Sequence, residues 1–221
     1  MLDKLPRGIY NFVIRYLNNT LPNATNTFKW KTSNSQNCNH CHNPQTLGHI
    51  VGGCKTFLQE KRYNWRHDSI ILSLANLVPR NVSTALYADI PGFSSPCVVT
   101  GEEQRPDILI KINDSLWILE LTVGFETNIR KNYDRKLTNY EKLISDLKKR
   151  YSKVTYVNLS MGACGVIGIN SMLLQLLKQF ELPYPDISYH IAKIMNICVR
   201  STYYIFCRRN NDWPNPELMS W

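Results

Sequence analysis

Four residues, Cys38, Cys41, His49 and Cys54, constrain this chain more than any other feature, because their spacing C-x2-C-x7-H-x4-C is typical of a tetrahedral metal site. A C-x2-C turn presents two thiolates, and nearby glycines let the backbone return with the other two ligands. His40 and His42 are rival ligands, although the spacing of His49 closes a second knuckle. Because protein ligands fill all four positions, the sequence predicts a structural zinc site that organises a loop-like stretch.

The cysteine count indicates the redox compartment. Seven cysteines are an odd number, and three lie in this cluster, which favours a reducing intracellular compartment over a disulfide framework. The amino-terminal stretch MLDKLPRGIYNFVIRYL carries charge throughout, which is not typical of a secretory signal. The longest apolar stretch, around 166–177, is interrupted by polar residues and is too short to span a bilayer, so we expect no membrane partner.

Periodicity divides the chain into a front module, 1–62, and a larger α/β domain, 63–221. The front module has a helix over 6–19 and a polar loop over 20–37, before the cysteine cluster. Trp30, between Lys29 and Lys31, either stacks on a base or sugar or anchors this loop. The remaining pattern predicts helices over 66–78, 127–151, 170–181 and 187–207, and strands over 84–88, 107–112, 116–123 and 154–159.

Two carboxylates flank a predicted hairpin in the run RPDILIKINDSLWILELT. Asp107 begins one strand and Glu120 lies near the end of the next, and a tight turn at Asn113-Asp114-Ser115 would bring them side by side. Together they can share one hard divalent cation such as Mg²⁺, which activates water and neutralises charge on a phosphate. The alternative is a Pro-Asp turn and an edge-facing glutamate without chemistry, although a carboxylate in so apolar a strand calls for a partner.

The presence of a lysine near the two carboxylates would indicate that the hairpin is catalytic. Metal-dependent nucleases that use such a carboxylate pair usually carry a lysine two residues after the second carboxylate, where it orients the water. In this chain Thr122 occupies that position. Lys136, on the helix that follows, is the substitute, with Tyr140 four residues later on the same face. The alternative for Lys136 is an ordinary solvated basic helix.

Basic residues concentrate on this same helix. The chain has 26 Lys and Arg against 17 Asp and Glu, a net charge of +9, which suggests a polyanionic partner. The stretch from Arg130 to Lys153 carries nine of these cations and three acids, and therefore +6 of the total. Lys131 and Arg135 are predicted to bind DNA in this stretch; a solvated helix surface is the alternative.

A longer series of segments resembles one known arrangement. The order LPNATNTFKW, C-x2-C with QTLGHIVGGC, YNWRHDSI, RPD, LELTVGFETNI and RKLTNYEKL is similar to the carboxy-terminal part of non-LTR retrotransposon proteins that carry a restriction-like endonuclease. That nuclease belongs to the PD-(D/E)xK superfamily. The resemblance covers residues from about 5 to about 180.

The resemblance implies a restriction-endonuclease-like α/β core of order αβββαβ, with an N-terminal helix and a small zinc knuckle. Asp107 and Glu120 match the metal-binding carboxylates, and Lys136 and Tyr140 match the catalytic lysine, migrated to the helix, and its accompanying aromatic residue. Arg66 and His67 match an Arg-His pair that contacts DNA phosphates or braces the knuckle, and Arg105 is expected near the phosphate.

The implied activity is Mg²⁺- or Mn²⁺-dependent nicking of target DNA, whose free 3′-hydroxyl primes reverse transcription. The chain is too short to contain the polymerase, so element RNA and a separate reverse transcriptase module are expected partners, and the nucleus the expected location in a eukaryote. Two alternatives remain: a catalytically silent, zinc-containing nucleic-acid-binding module, and a zinc-stabilised protein-interaction domain.

Overall fold

The computed structural model describes residues 5–101, 104–167 and 171–219, which form a mixed α/β structure. The helices are α1 (Arg7–Leu17), α2 (Ala24–Lys29), α3 (Lys55–Gln59), α4 (Arg62–Ala75), α5 (Cys97–Thr100), α6 (Ile129–Leu147), α7 (Ser171–Gln179) and α8 (Tyr184–Cys207), with a π-helical turn over His49–Gly53 and a 3-10 turn over Glu126–Asn128. The strands are β1 (Thr84–Ala88), β2 (Ile108–Ile112), β3 (Ser115–Gly124) and β4 (Lys153–Gly162).

The four strands form one sheet in the order β1-β2-β3-β4. β1, β2 and β3 are antiparallel neighbours, and β4 runs parallel to β3 after the crossover through α6. Ile112 pairs with Ser115, so the hairpin turn has two residues, and Asn113 takes a φ of +54°, a conformation that asparagine tolerates better than most residues. The predicted hairpin and the order αβββαβ of α4, β1–β3, α6 and β4 are therefore confirmed.

Helices cover both faces of the sheet. On one face, α4, α7 and α8 bury apolar side chains such as Ile70 and Ile194 against Ile110 and Leu119. On the other face, α6 packs its apolar stripe against the alternate side chains of the same strands. Because both faces are covered, β3 reads as a nearly continuous apolar run, and the one carboxylate within it, Glu120, is buried with the core.

The front module shares an apolar cluster with the carboxy-terminal helix. Phe12 of α1 packs against Tyr203 and Phe206 of α8, and the same cluster contains three cysteines of the knuckle. At the other end of α1, the Tyr16 hydroxyl donates to Glu126 at 2.5 Å, which ties the module to the entrance of α6. The division at residue 62 stays a prediction.

The chain after α8 folds back along α4 as a strap. The buried Arg62 guanidinium donates to the carbonyls of Arg208 and Asn211, and the Trp65 indole donates to that of Glu217. The strap therefore fixes the start of α4, from which the site described below takes one of its side chains.

Most predicted elements agree with the structure to within a few residues, but the loop predicted over 20–37 was wrong in part because it contains α2. The Asn23 side chain caps this helix by accepting from the Asn26 amide at 2.9 Å. The buried Asn26 side chain donates to the carbonyls of Asn19 and Leu21. Side-chain caps of this kind form helices in polar segments without apolar periodicity.

Candidate functional site

Two clusters of chemically capable side chains stand out, and the first is the predicted knuckle. Each of the residues Cys38, Cys41, His49 and Cys54 contributes one ligand atom, and these atoms lie within 4.8 Å of one another. His49 Nε2 lies 3.3 Å from Cys41 Sγ, and the sulfurs of Cys41 and Cys54 are 3.8 Å apart. This arrangement can hold a zinc ion.

A tight turn and a π-helical turn deliver these ligands. The Cys38 amide donates to the Asn43 carbonyl at 2.8 Å, while His42 reverses the chain with a φ of +59°. The π-helical turn over His49–Gly53 then sets the histidine and Cys54 on the same side. His42 is exposed and His40 bonds to the Arg209 carbonyl, so neither rival histidine belongs to the cluster.

The protonation of the ligands is consistent with metal binding. Burial raises the pKa of the Cys41 thiol, but hydrogen bonds from Asn43 and from the neighbouring cysteines outweigh burial and lower that pKa. Burial lowers the pKa of His49, which keeps the imidazole neutral as a ligand must be. Burial raises the pKa of Cys54 to about 11, so binding a metal must displace a proton from this thiol.

The second cluster lies where the hairpin carboxylates meet. The register that pairs Ile108 with Leu119 places Asp107 opposite Glu120. The Asp107 amide donates to Glu120 Oε2 at 3.3 Å, and the Leu121 amide donates to Asp107 Oδ2 at 2.7 Å. The two carboxylates are therefore fixed by each other's strand rather than left on flexible side chains.

Helix α6 supplies a cation to this cluster. Lys136 Nζ forms an ion pair with Glu120 Oε1, and its ammonium lies 6.0 Å from the centre of the Tyr140 ring. The Tyr140 hydroxyl donates to the Arg105 carbonyl at 3.0 Å. Thr122, at the position where a lysine is usual, has a buried hydroxyl without a hydrogen-bond partner among the described residues.

Helix α4 supplies a second cation, which the sequence did not place here. His67 Nε2 lies 3.2 Å from Asp107 Oδ2, and its Nδ1 lies 2.9 Å from Asp68. Burial lowers the pKa of His67, but the charge of Asp107 and the hydrogen bonds to Asp107 and Asp68 outweigh burial and raise it to about 10. His67 is therefore an imidazolium at neutral pH in this structure.

Opposing effects act on Glu120, of which only 1% is exposed. Burial and the nearby Asp107 raise its pKa, whereas Lys136 and Tyr140 lower it, and the net direction is upward. A buried carboxylate beside another carboxylate is costly unless cations surround it. The site thus has a requirement for positive charge that Lys136 and His67 meet only in part.

A groove of about 260 Å³ opens beside this cluster, lined by Tyr63, Asn64, His67, Thr122 and Lys136 among others. Its walls are about equally polar and apolar, and both cations border it. The groove therefore exposes an ammonium and an imidazole beside the carboxylate pair.

The structure places one of the five residues predicted to bind DNA, Arg66, away from the surface. Arg66 is buried, and its guanidinium donates to the Val51 carbonyl at 2.9 Å and to the Thr202 hydroxyl at 3.1 Å. This burial contradicts its assignment to DNA and supports the alternative that it braces the knuckle. Arg105 is half exposed but forms an ion pair with Asp89, so its approach to a phosphate stays a prediction.

Two further residues predicted to bind DNA, Lys131 and Arg135, are exposed on α6. They lie on the part of the helix that does not pack on the sheet, and their binding to DNA stays a prediction.

No protein-family model matches this chain, and no curated protein is significantly similar to it in sequence. None of the helices in the described ranges is both long enough and apolar enough to cross a membrane. Two clusters are thus defined by their own geometry: a Cys3His cluster that can hold zinc, and a buried carboxylate pair between two cations.

Proposed function

We propose that this protein is a metal-dependent DNA endonuclease with a restriction-endonuclease-like core, of the type found in non-LTR retrotransposon proteins. One observation carries the proposal: Asp107, Glu120 and Lys136 converge from the two strands of the hairpin and from α6, and Lys136 also lines the groove beside them. Three residues at the spacing of this motif meet here, although 29 positions separate the first from the last.

The order of elements supports the same proposal. A helix, three antiparallel strands, a crossover helix and a parallel strand occur in the sequence predicted from the resemblance. Glu120 lies on β3 and Asp107 immediately precedes β2, and these two central strands are hydrogen-bonded on both sides. Rigid elements position reacting groups better than loops do.

The donor set fits a hard divalent cation. Two carboxylates lie side by side, and the hydrogen bonds of the Asp107 carboxylate within the described residues go to Oδ2, which leaves Oδ1 for a ligand. Asp107 and Glu120 would hold Mg²⁺ or Mn²⁺, and water and phosphate oxygens would complete its shell. A bound divalent cation supplies an acidified water and neutralises charge on the scissile phosphate.

The remaining roles belong to the chain's own side chains. Lys136, held between Glu120 and the Tyr140 ring, would orient the attacking water and stabilise negative charge on the phosphate. Tyr140 fixes the helix against the strand through its bond to the Arg105 carbonyl. His67 pairs with Asp107 through Nε2 and borders the groove that would admit the phosphate.

The exposed cations of α6 would bind the duplex. Lys131 and Arg135 lie on the helix that carries Lys136, so phosphates bound along α6 would place the backbone near the groove. By resemblance, a reverse transcriptase module and element RNA act with the nuclease in the nucleus.

Nicking of supercoiled plasmid DNA tests the proposal. Wild-type protein is incubated with Mg²⁺ or Mn²⁺ beside Asp107→Asn, Glu120→Gln and the control Glu141→Gln, which changes an exposed acid on α6. We expect the first two variants to lose about a thousandfold in rate, since both hold the cation, and the control to cut normally. Equal cutting by all variants would contradict the site, and salt-sensitive binding without cleavage by wild type would favour the silent binding module.

A further inference from the structure

An exposed tryptophan in the front module has no role in either cluster. Trp30, at the carboxyl end of α2, is 46% exposed, and Phe28 beside it is 45% exposed. Lys29 and Lys31 flank the indole, and both are exposed. None of these four side chains has an ion pair or a side-chain hydrogen bond among the described residues. Trp30 therefore exposes nearly half of its surface to solvent, and the alternative in which a half-buried Trp30 anchors the loop stays a prediction.

The backbone beneath this surface is held firmly. The Trp30 amide donates to the Asn26 carbonyl at 2.9 Å, and the Asn26 side chain is buried and doubly bonded to the preceding loop. Lys31 then takes a φ of +59°, which ends the helix and turns the chain outward. An exposed aromatic ring on a rigid support loses little entropy when a flat partner stacks on it.

A polar groove of about 240 Å³ adjoins the helix. It is lined by Thr27 of α2, by serine and asparagine side chains of the segment after Lys31, and by Arg209 of the carboxy-terminal strap. Arg209 donates to the Pro22 carbonyl at 3.0 Å, but its Nε is buried and has no hydrogen-bond partner among the described residues. The groove itself presents hydroxyl and amide groups to solvent beside the Arg209 side chain.

We propose that Trp30, its two flanking lysines and the groove at Arg209 bind single-stranded DNA. The lysines match a phosphate backbone, the indole offers a stacking face to an unpaired base, and the groove offers donors and acceptors to a base edge. Duplex DNA buries its base faces in the stack, so the exposed ring selects a single strand. The choice of DNA over RNA rests on the proposed function, because a nicked duplex supplies a free DNA strand.

Fluorescence anisotropy of a labelled twelve-residue oligothymidylate tests this surface. Binding is measured with Ca²⁺ in place of Mg²⁺ and without chelator, so that the zinc cluster stays loaded. Trp30→Ala should bind about tenfold more weakly, and Trp30→Phe should recover most of the affinity. The double variant Lys29→Gln/Lys31→Gln should lower the slope of log K against log salt by about 1.4, because each phosphate that a lysine neutralises on a single strand contributes about 0.7.

The matched controls are Tyr189→Ala and Lys178→Gln, exposed residues of α8 and α7. Normal binding by the controls beside weak binding by Trp30→Ala supports the proposal. Unchanged binding by Trp30→Ala, or equal losses in Tyr189→Ala, would overturn it. A duplex or an oligouridylate that binds more tightly than the oligothymidylate through Trp30 would overturn the assigned partner.

The binding measured at Trp30 can be judged independently of DNA cleavage. If Glu120→Gln and wild type both fail to nick DNA but still bind the oligothymidylate through Trp30, the nuclease proposal fails and this surface stands. If wild type nicks DNA and Trp30→Ala binds the oligothymidylate normally, the nuclease proposal stands and the proposed role of this surface fails.

Discussion

The two clusters reach their geometry by different means. The four candidate zinc ligands come from 17 consecutive residues, 38–54, and their ligand atoms lie within 4.8 Å of one another. The carboxylates come from two strands, and helices α4 and α6 hold them with His67 and Lys136. From this comparison we expect the short loop to depend on a bound metal for its shape, whereas the carboxylate pair already has two cationic neighbours within the fold.

Removal of a zinc ligand is the strongest test of the first half of this comparison. Cys41→Ser should lose about one zinc per chain and several kcal/mol of stability, with the 10–16 kcal/mol of structural zinc fingers as the upper bound. Metal analysis and thermal unfolding measure both changes. Cys207→Ser, an exposed cysteine outside the cluster, is the control. Retention of zinc by Cys41→Ser would contradict the assignment of Cys41 as a zinc ligand.

Arg66 connects the knuckle to the sheet domain and provides the next largest effect. Arg66→Met leaves the carbonyl of Val51 and the hydroxyl of Thr202 without their donor, which should cost about 3 kcal/mol. Denaturant unfolding measures the loss. Arg130→Met, which removes a cation paired with Asp134 on the surface, should cost less than about 0.5 kcal/mol. Equal effects of the two changes would contradict the bracing role.

The pairing of His67 with Asp107 tests whether internal cations hold the second cluster. Because the pKa of His67 is raised from 6.5 to about 10, its contribution to stability is complete below pH 6.5 and is lost as the pH rises to 10. In the absence of divalent cations, His67→Asn should therefore cost about 2 kcal/mol at pH 6 and little at pH 10. Urea unfolding at both values measures the difference.

His190 is the control for that experiment, because burial lowers its pKa and the neighbouring Lys193 lowers it further. A lowered pKa makes the folded state less stable as the pH falls, so His190→Asn should show the opposite trend. A cost for His67→Asn that is the same at pH 6 and pH 10 would show that no charged pair exists.

The smallest effect concerns the exposed face of α6. The double variant Lys131→Gln/Arg135→Gln should lower the salt slope of duplex binding by about 2, because each neutralised phosphate of a duplex contributes about 0.9. Filter binding over a salt series measures the slope, and Lys178→Gln should leave it unchanged. An unchanged slope in the double variant would show that the duplex does not bind at Lys131 and Arg135.

Local patterns explain what the sequence could predict. The strands Ile108–Ile112 and Ser115–Gly124 flank a two-residue turn whose length fixes the register, and this register places Asp107 opposite Glu120. The cysteine spacing likewise defines the knuckle within one short segment. In both cases the residues that meet are joined by a turn, so their separation along the chain determines their distance in space.

Long-range contacts explain the rest. Arg66 meets Thr202 across 136 positions, and Trp65 meets the carbonyl of Glu217 across 152. No periodicity signals these contacts, because a strap without regular structure makes some of them. The same applies to His67, whose contact with Asp107 depends on the packing of α4 beside the hairpin, while its binding to DNA stays a prediction.

Binding of Mn²⁺ to zinc-loaded protein tests most directly the claim that the chain holds two separate cation centres. Electron paramagnetic resonance should detect about one bound Mn²⁺ per wild-type chain, none at the same concentration in Glu120→Gln, and an unchanged zinc content in both. The control Glu141→Gln should bind Mn²⁺ like wild type. Binding that is equal in wild type and Glu120→Gln, or absent from wild type, would contradict the account.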